Sequence, residues 1–341
     1  MSGTGTSSRP TGHEEVLSAV EIQKWYPARR QILRLGHKDG GTFVKAVDGV
    51  NFSLRKGEIL GVIGESGCGK STMGKLLVGL EVPTGGKIYF QGQEATSLLK
   101  GDAKAFRRKA QIVFQNPFDT FDPRHNIASI LSTPLKIHGI GSSDSERKEI
   151  CCQALEQAGL RPAREYLFRF PHELSGGQLQ RVSIVRAMLL KPLFLVADEP
   201  VSMLDVSVRA DILNALLQLS EESSTAIVFI SHDISVTRYI SHRIAVMYLG
   251  RIVEIGDADE IISHPCHPYT RALISNFPSA DPREAREGIQ IQGEPPTPVN
   301  PGPGCYFAPR CFMTSEECLH SYPEEVDLGG GHLVWCHMVQ R

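Results

Sequence analysis

Residues Gly64-Glu65-Ser66-Gly67-Cys68-Gly69-Lys70-Ser71 spell GxxxxGK(S/T), a loop that works only between a buried strand and the start of a helix. Residues 58–63 read as that strand, and Met73, Leu76, Leu77 and Leu80 recur at i, i+3, i+4 and i+7, as one apolar helix face should. The pattern commits this part of the chain to an α/β fold and implies a bound nucleoside triphosphate. The glycines let backbone N–H groups turn inward around phosphates, and the helix start is electropositive. Lys70 supplies a point charge, and Ser71, followed by Thr72, a hydroxyl for Mg2+.

Short apolar runs at 17–22, 46–54 and 87–90 alternate with turn signals, which predicts further β-structure around the loop strand. Residues 1–16 are rich in Ser, Thr and Gly and read as disordered, and the basic stretch 28–41 as a solvated hairpin loop. From 118 to 170 the pattern is mostly helical, with two proline-marked breaks and a polar connector at 139–146. Runs at 111–114, 193–197, 226–230 and 244–247 are β-branched and separated by helical segments, so a mostly parallel, helix-covered sheet is expected. Past Asp257 the composition shifts to Pro, Gly, His and Cys without a clear period, so something other than a large apolar core is expected to hold this tail.

A chain of 341 residues has length for about two domains. Its net charge of −2 gives no overall basic field, which argues against nucleic acid as a partner. No apolar run approaches the ~18–20 residues that span a bilayer, and the N-terminus lacks a secretory segment. A soluble, cytoplasmic chain is expected, reaching a membrane only by docking on another protein. In that compartment eight cysteines do not read as a disulfide framework.

The apolar run 193–197 ends in Asp198-Glu199. Beside a phosphate loop, the first acid suits Mg2+ and the second suits orienting or deprotonating an attacking water. Between loop and acids lies Leu174-Ser175-Gly176-Gly177-Gln178, a turn before the helical run Val182, Val185, Met188 and Leu189, and thus a second phosphate-binding helix start. LSGGQ is the signature of the ABC ATPases, and here the chain resembles that family. The resemblance implies a P-loop core with an antiparallel β-subdomain and a helical subdomain at about 117–180. It also implies a nucleotide shared between two such subunits, since the signature of one closes over the loop of the other. By the same resemblance, Tyr26 matches the aromatic that stacks on adenine, with Trp25 an available rival. Gln115 matches the glutamine that senses Mg2+, Ser202-Met203-Leu204-Asp205 the loop that crosses the dimer interface, and His232 the histidine at the γ-phosphate.

Gln115-Asn116-Pro117-Phe118 with Asp122-Pro123-Arg124, Leu204-Asp205-Val206-Ser207-Val208, and His267-Pro268-Tyr269-Thr270-Arg271-Ala272-Leu273 resemble the ATP-binding subunits of oligopeptide, dipeptide and nickel importers. Met203 stands where many peptide members have Ala, which leaves oligosaccharides open as the solute. The implied partners are a second, related ATPase subunit, two membrane permeases and, indirectly, a solute-binding protein, with this chain on the cytoplasmic face of the membrane. Phe118 and Phe121 are candidate permease contacts. A soluble ABC ATPase in DNA repair or translation fits less well. The repair type inserts hundreds of residues between Gln115 and Leu174, where this chain has 58, and ribosome-associated members carry two ATPase domains.

Four cysteines, Cys305, Cys311, Cys318 and Cys336, crowd into the last 37 residues of the C-terminal region 257–341. Four thiolates suit zinc or a four-iron, four-sulfur cluster, and unligated thiols are the third reading. The missing tight CxxC pairs disfavour zinc, and some importer ATPases that this chain resembles carry such a cluster. His320, His332 and His337 are candidate substitute ligands but read rather as solvated surface histidines, Cys151 and Cys152 read as core, and Cys68 as a thiol whose pKa the helix start could lower. Cys266 suggests no role.

Overall fold

The computed structural model describes residues 14–28, 41–202, 204–276 and 288–339. Most of the N-terminal segment, most of the basic stretch and Met203 lie outside these residues. Two sheets organise the rest. The smaller is antiparallel, in the order β2 (Phe43–Arg55), β1 (Glu15–Pro27), β4 (Gly85–Phe90) and β5 (Gln93–Glu94). Its first strand begins at Glu15, before the expected boundary, because Val16 is already buried.

The larger sheet has parallel pairing from β9 (Arg243–Tyr248) through β3 (Ile59–Ile63), β8 (Ala226–Ile230) and β7 (Phe194–Asp198) to β6 (Ala110–Val113). Every residue of β3, β7 and β8 is buried, so these strands are covered on both faces and their apolar runs need no alternation. The carboxyl ends of β3, β8, β7 and β6 thus meet at one edge, where open parallel sheets bind ligands. Helix α1 (Lys70–Leu77) leaves β3 there and buries Met73, Leu76 and Leu77, but Leu80 falls past its end and is exposed. Helix α2 (Ala95–Lys109) was not expected from periodicity. It buries only Ala95 and Phe106, the latter edge-on to Phe90.

Helices α3 (Ile127–Ile137), α4 (Asp144–Gln157), α5 (Ala163–Phe168) and α6 (Gly176–Met188) form the helical part around Leu131, Leu135, Cys151, Leu155 and Leu179. Asn126, Ser143 and Ser175 cap three of them by accepting backbone N–H bonds. Pro134 does not break α3; it lies inside it, where Thr133 Oγ1 donates to the Ser129 carbonyl at 2.7 Å. Helices α7 (Val206–Ser223) and α8 (Ile234–Ile240) complete the covering of the sheet.

The C-terminal segment departs from expectation. Strand β10 (Arg251–Asp257) pairs with β9 and is followed by α9 (Ala258–Ser263) and α10 (Pro268–Ser275). The hairpin of β11 (Glu325–Asp327) and β12 (Leu333–Trp335) then pairs with β10. Tyr306 and Phe307 are buried against Tyr248 and Tyr269, so the tail shares the apolar core of the main sheet. Aromatic packing explains why no helical or strand period shows in the sequence: Phe307 meets Tyr248 edge-on at 5.2 Å and Tyr269 at a tilt at 5.3 Å. Tyr306 Oη also donates to buried Asp48 of β2 at 2.6 Å.

Candidate functional site

The turn after β3 is shaped by its glycines. Gly67 and Gly69 have φ of 78° and 106°, and a Cβ on Gly69 would lie 2.0 Å from the Ala46 carbonyl oxygen. Only glycine fits. Lys70 is buried at the helix start, its Nζ donating to the carbonyls of Gly64 at 2.7 Å and Glu65 at 2.9 Å. The loop's own oxygens thus hold the ammonium where phosphate oxygens would arrive. Ser66 and Gly67 are exposed at the tip. Cys68 corrects an expectation: it is 4% exposed, and burial pushes its thiol up despite Lys70, because desolvation outweighs the nearby positive charge.

Ser71 Oγ donates to Asp198 Oδ1 at 3.1 Å, joining α1 to the end of β7. Burial pushes the Asp198 carboxyl up, Ser71 opposes this, and Glu199 adds to it. Glu199 turns sharply away from the strand, at φ 46°, with its N–H on the Ile230 carbonyl. Gln115, just past β6, donates from Nε2 to Glu199 Oε2 at 2.9 Å, and His232 Nδ1, just past β8, lies 3.2 Å from the same oxygen. Gln115 and His232 are exposed, so the three groups face outward from the sheet edge. The arrangement can hold a cation between Ser71 and Asp198 and can present a carboxylate to a water beside it.

Tyr26 lies next to this edge, its phenol donating to Glu81 and approaching Thr72 of α1. Burial and then Glu81 push it up to about 12, so it stays a neutral donor. Trp25, its neighbour in the strand, is engaged elsewhere, with Nε1 donating to Asp48 at 3.0 Å and Lys45 over its ring. The Leu174–Gln178 turn heads α6, where Ser175 and Gln178 cap each other reciprocally at 3.0 and 3.3 Å. Leu174 is buried and anchors the turn, Ser175 is exposed, and a Cβ on Gly177 would come within 3.3 Å of Leu204. Asp205 caps α7 with its backbone and is exposed. Of the two candidate permease contacts, Phe118 is exposed, while Phe121 is buried in the helical core.

The tail cysteines carry no disulfide and are drawn together. Each of the six pairs is close enough for the thiols to interact electrostatically. Every sulfur also has a polar neighbour. Phe307 and Ala308 N–H reach Cys305, Met313 N–H reaches Cys311 at 3.3 Å, Ser315 Oγ lies 3.3 Å from Cys318, and Met338 N–H reaches Cys336. Burial pushes the Cys336 thiol up to about 11. His332 is not solvated as expected. It is buried, with Nε2 2.8 Å from Glu254, whose carboxylate also accepts the Cys266 and His267 N–H groups. His320 is exposed, and His337 contacts the Ser321 carbonyl.

Sequence reasoning missed Arg310. Its guanidinium grips both carboxylate oxygens of Glu65 in the phosphate loop, at 2.7 and 3.1 Å. A lone arginine in an aperiodic segment gives no signal for a partner 245 positions away.

The family of ABC transporters matches residues 47–202, and the oligopeptide/dipeptide transporter C-terminal region matches 253–318. The dipeptide transport ATP-binding protein of Escherichia coli strain K12 is 44% identical over 339 residues, covering 98% of each chain. An oligopeptide transport ATP-binding protein of Bacillus subtilis strain 168 is 43% identical, covering 95% of this chain and 98% of its own. Among solved structures, a dimeric bacterial ABC transporter cassette is similar at a TM-score of 0.63 and 28% identity, covering 71% of this chain and 98% of that one. A cassette dimer in a post-hydrolysis state with ADP and Pi gives 0.61 and 29%, with the same coverage. The chain belongs to the ATP-binding subunits of the ABC transporter family, in the group that carries the oligopeptide/dipeptide transporter C-terminal region.

Proposed function

We propose that this chain is the ATP-hydrolysing subunit of a peptide importer, acting at the cytoplasmic face of the membrane. The observation that carries the reading is the convergence of Ser71, Asp198, Gln115, Glu199 and His232 at one sheet edge. ATP lies with its phosphates in Gly64–Thr72, its adenine on Tyr26, and Mg2+ held by Ser71, Gln115 and Asp198. Glu199 takes the proton of the attacking water, Gln115 and His232 orient its carboxylate, and His232 faces the γ-phosphate. Leu174–Gln178 and Asp205 belong to the neighbouring subunit's nucleotide, which requires a second ATPase, in this reading a related but distinct chain. Two permeases dock on the helical part at 117–180 near Phe118, and a solute-binding protein delivers the peptide. The ATPase domain spans 17–256, and 257–341 is an appended region. Names of relatives support peptide as the solute; oligosaccharide and nickel are its rivals.

The four thiols suit a tetrathiolate centre by their number and their N–H donors, with Cys318 and Cys336 buried and Cys305 and Cys311 half-buried. Cys305, Cys311, Cys318 and Cys336 would hold a four-iron, four-sulfur cluster, with zinc the alternative. Such a centre supplies a covalent crosslink to a segment with little regular structure. Reconstitution with the two permeases in vesicles tests the main reading: peptide with its binding protein should stimulate ATP hydrolysis, and stimulation by a sugar or nickel alone would reassign the solute. Anaerobic absorption near ~400 nm with about four iron and four sulfide per chain would identify the cluster, and one zinc in a colourless protein would replace it.

A further inference from the structure

We propose that Arg310 is a positioning residue for ATP binding, which restrains the Glu65 carboxylate from the phosphate site. The inference rests on reading Gly64–Ser71 as that site. Glu65 is the second residue of the loop, and its backbone is already fixed. Its N–H donates to Tyr269 Oη at 2.9 Å, and its carbonyl accepts from Lys70 Nζ at 2.9 Å. What remains to be set is the direction of its side chain. A carboxylate here stands beside the one loop ammonium and beside the place of several phosphate charges. Turned inward, it would compete for Lys70 and repel the nucleotide.

Arg310 prevents this with a fork grip, Nη1 on Oε2 at 2.7 Å and Nη2 on Oε1 at 3.1 Å. The fork is itself aimed by the Gly293 carbonyl at 2.9 Å, the Gln292 carbonyl at 3.3 Å and Tyr248 Oη at 3.3 Å. Its side chain is 8% exposed and that of Glu65 24%, so water screens the pair only in part. Arg310 immediately precedes Cys311, and Phe307, whose N–H reaches Cys305, packs on Tyr269. The Arg310 grip on Glu65 therefore comes from the cysteine-bearing segment itself, and the Tyr269 contact from α10 packed against that segment through Phe307.

The test measures the ATP dissociation constant and kcat in the full-length protein, with cysteine-bound metal and the melting temperature recorded for each variant. Arg310→Gln should weaken ATP binding about tenfold and leave kcat within about twofold. Arg310→Lys, which keeps the charge without the fork, should lie between. In a Glu65→Gln background, Arg310→Gln should cost less than about twofold, because no carboxylate remains to restrain. Equal losses in the two backgrounds would make Arg310 a packing residue acting through the Gln292 and Gly293 carbonyls, and unchanged affinity would also overturn the proposal. Lys70→Ala separates the two readings. If it abolishes ATP binding while Arg310→Gln does not weaken it, only this inference fails; if Lys70→Ala leaves binding intact, the site assignment fails first.

Discussion

Glu199 is placed by its backbone before its chemistry is considered. At φ 46° it leaves β7 in a conformation that costs a non-glycine residue of order 1 kcal/mol, and the Ile230 carbonyl and the Gln115 amide hold it there. Glu199→Gln keeps the size and the turn while removing the base. ATP should still bind, and hydrolysis should fall by roughly 10²–10⁴. Nucleotide titration and phosphate release on one preparation check this, and near-normal turnover would displace Glu199 from the role. Asp198, Glu199, Gln115 and His232 were legible because each sits at or just past a strand end that its own apolar run announces. The Cys68 thiol went the other way. Helix-start electrostatics were readable from the motif, whereas the burial that outweighs them depends on Met247 and Tyr269, far along the chain.

Among elements, α10 shows how a motif can carry structural chemistry. His267 is the cap of that helix, its Nδ1 accepting the Tyr269 N–H at 3.0 Å. Burial holds it down at about 4, against an ordinary value of 6.5, since a fully enclosed imidazolium would lose its hydration and its accepting nitrogen. The folded protein therefore binds fewer protons than the unfolded chain between these values. Stability is fully present above about pH 6.5 and declines as pH falls toward about 4, by about 3 kcal/mol for this group. Urea unfolding at pH 7.5 and 5 should show the loss, and His267→Asn, which keeps a capping oxygen, should reduce the pH dependence. An unchanged slope would refute the assignment. The main-sheet strands were readable from apolar runs, but α2 was not, because a helix burying two side chains has little periodicity to show.

At the scale of the whole molecule, the C-terminal segment ties both sheets together. Tyr306 reaches across to Asp48, whose carboxyl burial would raise; the Tyr306 hydroxyl and the Arg251 guanidinium instead hold it below its usual range. Val299 forms a bridge with Val44 on the same strand, and Lys45 N–H donates to the Pro298 carbonyl at 2.9 Å. Tyr306→Phe removes one hydrogen bond to a buried charge and should lower stability by about 1.5–3 kcal/mol. The urea midpoint should fall with an unchanged slope and with ATP hydrolysis retained in native buffer. A midpoint within error of the parent would show that Arg251, Trp25 and Lys45 satisfy Asp48 without Tyr306. None of this long-range stitching was legible locally, since its partners lie 203 to 258 positions apart.

The pairing of β12 with β10 also sets an order of events at the ribosome. Strand β10 ends at Asp257, but its outer neighbour is not finished until Trp335, a further 78 residues (335 − 257). At about 5–20 residues per second, the row of unpaired N–H and carbonyl groups on an apolar strand stays open for roughly 4–16 s in every new chain. A chain cut short in that interval would carry an uncapped β edge, a template for aggregation that β12 normally closes.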